Sequence, residues 1–221
     1  MNKPFVNLKE TDDLLNNDVR ALEPSLFFQI ENLLATEEVE RLERFIAQED
    51  SIPVGLDGIK ENYQQGDEIG SYRLSIYNEA MAEKIWHRIK QSSQCLEDDE
   101  WTPIGINPLF RIIVYKKGGS LVPHYDAPYI QDDNTMTRRS MVIYLTDNTE
   151  GKTEFVEDDT LGQESRSYED RPNYQGRVIA SFTPKRGSSL IFKHRLLHQV
   201  MPLEREAKTI IRTDIVYKRK K

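Results

Sequence analysis

Apolar and polar residues alternate along this chain with two different periods, and the change falls near Pro108. Upstream, apolar residues recur at helical spacing: Val39, Leu42, Phe45 and Ile46, then Met81, Ile85, Trp86 and Ile89. That spacing lines one face of a helix and predicts amphipathic helices over residues 37–48 and 79–90. Thr36 offers an N-cap hydroxyl to the first, and Glu37 and Glu38 stand in its first turn, where the helix dipole favours negative charge. Residues 26–30 read as a short strand. The stretch 55–71, rich in Gly and polar residues, reads as loop. Residues 1–25 are polar and acidic and are expected to form a flexible segment.

Downstream the apolar residues gather into short β runs over 110–115, 139–145, 178–182, 189–192 and 209–217. Gly118-Gly119, Asp147-Asn148 and Lys185-Arg186-Gly187 supply turn signals between them. Two helices followed by many short strands predict an α+β chain whose second part is a β-sandwich or barrel. The expected organisation is one domain over 26–221, helical over 26–107 and β over 108–217. Two polar insertions, 127–137 and 157–175, have the length of functional lids or of plain surface insertions.

Composition narrows the classes. The 221 residues suit one large domain, and 38% apolar with 30% charged residues describes an ordinary soluble chain. Thirty Lys and Arg against 37 Asp and Glu give a formal charge of −7, which argues against general nucleic-acid binding. No apolar run approaches the roughly 20 residues of a membrane span. The first residues lack the apolar core of a secretory signal, and Cys95 is the single cysteine, so no intramolecular disulfide forms. The expected location is the cytoplasm. The basic run Lys218–Lys221 reads as a solvated terminus.

The densest chemistry is Pro123-His124-Tyr125-Asp126, with His198 placed 74 residues after His124. Side chains two apart in an extended chain share a face, so His124 and Asp126 reach one metal ion together and His198 closes the third side. Two imidazoles and one carboxylate leave open positions and suit non-haem Fe(II); the same set also holds Zn²⁺ around a catalytic water. Lys208 comes ten residues after His198 and opens the last strand. A buried cation there needs an anion, and the distal carboxylate of 2-oxoglutarate is such a partner.

Phe110-Arg-Ile-Ile-Val-Tyr115-Lys-Lys-Gly-Gly-Ser-Leu-Val-Pro-His124-Tyr-Asp126 resembles the first metal-binding stretch of the prolyl 4-hydroxylase-like 2-oxoglutarate/Fe(II) dioxygenases. Met141-Val-Ile-Tyr-Leu-Thr-Asp and Gly151-Lys-Thr-Glu-Phe155 are similar to the family's next two strands. Gly151 and Thr153 match its pattern there, whereas Lys152 and Glu154 depart from it. Ser188-Ser-Leu-Ile-Phe-Lys and Leu197-His198-Gln-Val resemble the strands bearing the second histidine. The resemblance covers residues 108–217, and 26–50 more loosely. It implies a double-stranded β-helix (jelly-roll) core with N-terminal helices packed on one sheet. It further implies iron on His124, Asp126 and His198, with Tyr115, Thr153 and Lys208 serving 2-oxoglutarate. Arg212 rivals Lys208, because residues 208, 210 and 212 share a strand face; the spacing favours Lys208.

The implied reaction is hydroxylation of an amino-acid side chain in a peptide or protein, proline first, with O₂ consumed and 2-oxoglutarate decarboxylated to succinate. Ascorbate is a candidate reductant. A free amino acid or small metabolite is a compatible substrate. A non-oxidative cupin-like metalloprotein and a silent binding module are the competing readings.

Other residues have plainer expectations. His194 follows a strand-like run and reads as a loop or surface residue. His87 is structural, and Trp86 and Trp101 are packing residues. Arg138 and Arg139 head a strand beside the site, where either orients a substrate carbonyl or carboxylate or is a strand-edge charge. Tyr129 lines the substrate mouth.

Overall fold

In the computed structural model, which describes residues 26–54, 70–91, 96–97, 100–157 and 176–220, the part upstream of Pro108 is not simply helical as expected: its two helices alternate with four strands. Strand β1 (Phe27–Ile30) leads to helix α1 (Thr36–Ile46), and β2 (Ile52–Val54) and β3 (Ser71–Tyr77) lead to α2 (Glu79–Ile89). Then come β4 (Trp101–Ile106), β5 (Leu109–Tyr115), β6 (Leu121–His124), β7 (Ile130–Asp132) and β8 (Thr135–Tyr144). The chain closes with β9 (Thr153–Val156), β10 (Val178–Phe182), β11 (Ser189–Lys193), β12 (His198–Val200) and β13 (Lys208–Arg219).

Both expected helices form. The cap of α1 is Ala35 rather than Thr36, which is the first helical residue. The Glu38 carboxylate takes the Ala35 N–H at 3.0 Å and grips Arg88 of α2 at 2.6 Å and 2.8 Å. The Arg88 bond holds the Glu38 carboxyl down at about 2. In α2 the Asn78 side chain accepts from Met81 N–H at 2.9 Å, a conventional N-cap.

All strand pairs are antiparallel. The large sheet runs β1-β11-β8-β13-β5-β3-β2, with β4 also on β13 and β7 on β8; the small sheet runs β10-β9-β12-β6. Period-two alternation divides the side chains of the large sheet between two cores. On one face Ile112, Met141, Ile143, Ile211 and Ile215 pack with Val39, Ala82, Ile85 and Ile89 of the helices. On the other, Ile113, Val142, Tyr144, Phe192 and Ile210 meet Phe155, Phe182 and Val200 of the small sheet. The polar site lies on this second face.

Strands β3 and β4 differ from the sequence expectation. In Ser71–Tyr77, Tyr72, Leu74 and Ile76 alternate with Arg73 and Ser75, a legible strand pattern. Pro103 and Gly105 mask β4, which tolerates them beside an irregularity in its pairing with β13. The insertion 127–137 is a hairpin rather than open loop: Ile130 pairs Met136, and Asp132 caps the turn by accepting from Asn134 N–H at 2.8 Å. Most of 157–175, most of 55–71 and residues 1–25 lie outside the described residues. The basic residues 218–220 are exposed, as expected, although β13 continues to Arg219, which pairs Glu100 at 3.4 Å, and Lys220 pairs Glu97 at 3.3 Å, both at the surface. No described helix is long and apolar enough to cross a membrane.

Candidate metal centre

The pairing of β6 with β12 sets His124 directly opposite His198, with ring centroids 4.1 Å apart. Between that pair and Leu121↔Val200 the register slips by one residue on β6, where Pro123 supplies no N–H to the ladder. Asp126 follows just beyond β6, tied by its own N–H to the His194 carbonyl at 3.1 Å. One donor atom from each of His124, Asp126 and His198 lies within 4.8 Å of the others, and no other such group occurs among the described residues.

The tautomers follow from the neighbours. His124 Nδ1 faces the Val122 carbonyl at 2.9 Å and His198 Nδ1 faces the Leu196 carbonyl at 2.8 Å. A carbonyl only accepts, so each Nδ1 carries the hydrogen and each Nε2 keeps its lone pair for the shared centre. Those Nε2 atoms stand 3.8 Å and 3.7 Å from the Asp126 carboxylate. Burial lowers both histidines, His124 to about 3. Burial alone would raise Asp126, but Arg212, the two imidazoles and Ser140 hold it well below the usual carboxylate range. The set is therefore two neutral imidazoles and one carboxylate at neutral pH, the donor chemistry a divalent transition metal needs.

Around Asp126 the bonding is fully directional. Ser140 Oγ–H donates to Asp126, so its oxygen is left to accept from His194 Nδ1–H at 2.9 Å. His194 Nε2 then accepts from the Thr137 hydroxyl at 3.1 Å, and Thr137 Oγ1 accepts the Tyr129 N–H at 2.8 Å. Burial lowers His194 to about 4, in keeping with a neutral ring. Thr137 and Ser140 are three apart, yet both reach His194. Between Ile215↔Arg139 and Val216↔Thr137 the strand β8 carries one extra residue, Arg138, and the bulge returns Thr137 to the Ser140 face. His194 is thus a buried, fully bonded residue, 4% exposed, and the surface expectation for it is corrected.

Arg212 belongs to this cluster. Its Nη2 lies 3.0 Å from Asp126 and 3.1 Å from Asp214, and its Nε donates to Asp126 at 3.3 Å. It is committed to two carboxylates, which weakens it as a rival cosubstrate anchor. Lys208 differs. It is fully buried, its Nζ donates to the Gly151 carbonyl at 2.5 Å, and among the described residues it has no ion pair. Burial lowers it to about 7. Gly151 sits at φ +62, where a side chain would also press on Leu203, so the residue that turns this carbonyl inward is a glycine for steric reasons. Tyr115 is the cross-strand partner of Lys208, and both the Tyr115 and Tyr144 rings lie within 5.6 Å of its ammonium. Thr153 accepts the Tyr144 hydroxyl at 3.0 Å.

The substrate candidates separate. Arg139 alternates with Met141 and Ile143 on the helix side, fully buried over the Phe28 ring at 5.4 Å, so it faces away from the site. Arg138, stacked 5.1 Å from Trp101, lines a cleft of about 340 Å³ with Met136, Thr137 and His194. Tyr129 is 59% exposed on the hairpin. Trp101 is buried in the helix-side core, as expected of a packing residue. Sequence reading missed Ser140, Arg111 and Tyr144, whereas Asp214 was open to it as a partner for Arg212, a pair now seen at 3.1 Å. Their signal is a polar residue on the inward face of an otherwise apolar strand.

Residues 110–213 match the family model of the 2OG-Fe(II) oxygenase superfamily. The fold is similar to that of a viral collagen prolyl hydroxylase from Paramecium Bursaria Chlorella virus-1, solved as a 2OG complex. That likeness has a TM-score of 0.53 at 18% identity, over 88% of this chain and 97% of that one. A Trichoplax adhaerens prolyl hydroxylase, solved with a hypoxia inducible factor peptide fragment, gives a TM-score of 0.54 at 18% identity, covering 94% and 91%. HygX from Streptomyces hygroscopicus, solved with nickel, 2-oxoglutarate and hygromycin B, gives 0.53 at 11%, covering 87% and 82%. At these identities the likeness shows the fold alone. No curated protein matches the chain.

Proposed function

We propose that this chain, a member of the 2OG-Fe(II) oxygenase superfamily through residues 110–213, hydroxylates an amino-acid side chain in a peptide or protein, proline being the first candidate. It is a 2-oxoglutarate-dependent dioxygenase with Fe(II) and 2-oxoglutarate as its cofactors. The observation that carries the reading is the pairing of two features in the space between the two sheets. One is a three-donor cluster with both imidazole Nε2 atoms unprotonated; the other is a buried ammonium without an acidic partner among the described residues. A zinc hydrolase explains the first feature and leaves the second unexplained.

Under this reading His124, Asp126 and His198 hold the metal. Lys208 takes the distal carboxylate of 2-oxoglutarate, with Tyr115 and Thr153 beside it. When bound, Fe(II) with 2-oxoglutarate and O₂ supplies the oxidation: succinate and CO₂ form, and the second oxygen atom is delivered to a substrate C–H as hydroxyl. The protein's own residues bind and orient. Ser140 and Arg212 fix the Asp126 carboxylate, and the apolar wall of Phe155, Phe192 and Val200 excludes water. Arg138 and Tyr129 flank the substrate mouth. The two facing sheets are the halves of a double-stranded β-helix covered by α1 and α2 on one side, and 26–221 is one domain.

Succinate release with Fe(II), ascorbate and 2-oxoglutarate, against peptide, amino-acid and small-metabolite libraries, tests the reading. His124→Ala, Asp126→Ala and His198→Ala should each abolish turnover while the far-UV spectrum is kept. Normal turnover in any of them removes that residue from the ligand set.

A further inference from the structure

The site holds more positive charge than its cofactors use. Strand pairing places Arg111 of β5 opposite Arg212 of β13 and opposite Ser75 of β3, so Arg73, two residues along β3, shares their face. Arg111 is 3.7 Å from Asp214, which already binds Arg212 at 3.1 Å. Its Nη1 is buried and has no hydrogen-bond partner among the described residues, while the side chain as a whole is 29% exposed. It is therefore a guanidinium with an unused donor, reachable from solvent at one edge. Burial pushes it below the ordinary arginine value, and Arg212 and Arg73 push the same way. An unpaired buried donor or charge costs far more than a paired one.

The charges can be counted on the dioxygenase reading, on which this step rests. Even leaving Arg73 aside, Arg111 and Arg212 balance Asp126 and Asp214. A divalent ion and Lys208 add three positive charges, and dianionic 2-oxoglutarate removes two. Among the described residues one positive charge is left over, beside the metal and at the exposed edge. We propose that Arg111 is a carboxylate-binding residue for the prime substrate, so that a molecule presenting a free carboxylate close to the carbon that is hydroxylated replaces peptidyl proline as the first candidate. The guanidinium fork takes a carboxylate through two parallel N–H bonds. The rival occupant is the 1-carboxylate of 2-oxoglutarate itself.

The test uses the full chain loaded with Zn(II) and 2-oxoglutarate and follows arginine side-chain NMR signals during titration with propionate or propionamide. Propionate should saturably shift the Arg111 signal and propionamide should not. Arg111→Gln should weaken propionate by about tenfold or more, the worth of one charge-assisted bond, with Arg111→Lys intermediate. The 2-oxoglutarate Kd should stay within about threefold in both variants. In libraries, acids should stimulate succinate release over their matched amides. Equal response to propionate and propionamide, or propionate binding indifferent to Arg111→Gln, overturns the proposal. So does a collapse of 2-oxoglutarate affinity in Arg111→Gln, which assigns the residue to the cosubstrate. If the wild-type chain does not bind 2-oxoglutarate, the dioxygenase reading falls, and the same propionate contrast on the metal-free chain decides Arg111 by itself.

Discussion

At the scale of single residues, most of the site's behaviour follows from who must donate to whom. Ser140 gives its only hydrogen to Asp126 and accepts from His194, so Ser140→Ala removes a bond to the carboxylate and strands a buried imidazole donor. Outer-shell partners of this kind are worth about 10- to 100-fold in metal affinity. Co(II) titration of Ser140→Ala should show a loss in that range with a changed visible spectrum, and Ser140→Thr should recover most of it. Unaltered affinity and spectrum in Ser140→Ala would reduce the hydroxyl to packing. Lys208 yields a pH prediction. Burial holds its amine at about 7 in the ligand-free chain, whereas the distal carboxylate favours the charged form, so binding above that pH takes up a proton. The 2-oxoglutarate affinity should be highest below about pH 7 and fall as pH rises, nearing tenfold per unit, until the liganded amine's higher value is passed. For folding the sign is opposite to that of a salt-bridged lysine. Between about 7 and 10.5 the unfolded chain holds the proton and the folded chain does not, so stability rises with pH. Calorimetry of 2-oxoglutarate binding in buffers of different ionisation enthalpy reads the uptake, which Lys208→Met should abolish. No proton uptake in the wild type would contradict the assignment.

At the scale of elements, the turn before β9 carries a second consequence. Gly151 must take φ +62 to present its carbonyl to Lys208, and a methyl group there also meets Leu203 at about 3.0 Å. Gly151→Ala should cost about 1–2 kcal/mol of stability from left-handed backbone strain and weaken 2-oxoglutarate, while Lys152→Ala does neither. Urea unfolding and 2-oxoglutarate titration of the two variants check this together; wild-type values in Gly151→Ala would mean the turn relaxes. Elements also show what the sequence makes legible. Both helices and the runs now seen as β5, β8, β10, β11 and β13 stand out because apolar spacing is a local property. The pair His124 and Asp126, with Lys208 ten residues beyond His198, could be picked out for the same reason. The bulge at Arg138 could not, because it exists only in the pairing of β8 with β13. Without it, simple alternation puts Arg138 and Thr137 on the wrong faces and leaves His194 without its Thr137 partner. The match of His124 to His198 across β6 and β12 is likewise a matter of register between distant strands.

At the scale of the whole molecule, the large sheet is shared by two cores of different character. The helix-side core is apolar apart from inclusions such as Arg139, and holds the larger set of buried apolar residues. The sheet-to-sheet core is apolar at the Phe155–Phe192 side and ionic around Asp126, Asp214, Arg111 and Arg212. A buried ionic cluster stabilises little by itself, because desolvation offsets most of the attraction. Ligands that bind this centre in the folded chain alone should stabilise the whole chain visibly. A ligand at 100 times its Kd adds about 2.7 kcal/mol. For a chain of this size that is a rise in Tm of about 5–10 °C. Metal alone and metal with 2-oxoglutarate should produce successive rises in a thermal-shift assay. Asp126→Ala should abolish the first step and with it the second, whereas Lys208→Met should keep the metal step and lose most of the 2-oxoglutarate step. That asymmetry is the point of the measurement, since a nonspecific effect of divalent ions or of dicarboxylates on an acidic chain would survive both substitutions. If Lys208→Met retains the full 2-oxoglutarate step while Arg212→Met loses it, the anchor is the guanidinium, and the bonds from Arg212 to Asp126 and Asp214 must open to release it.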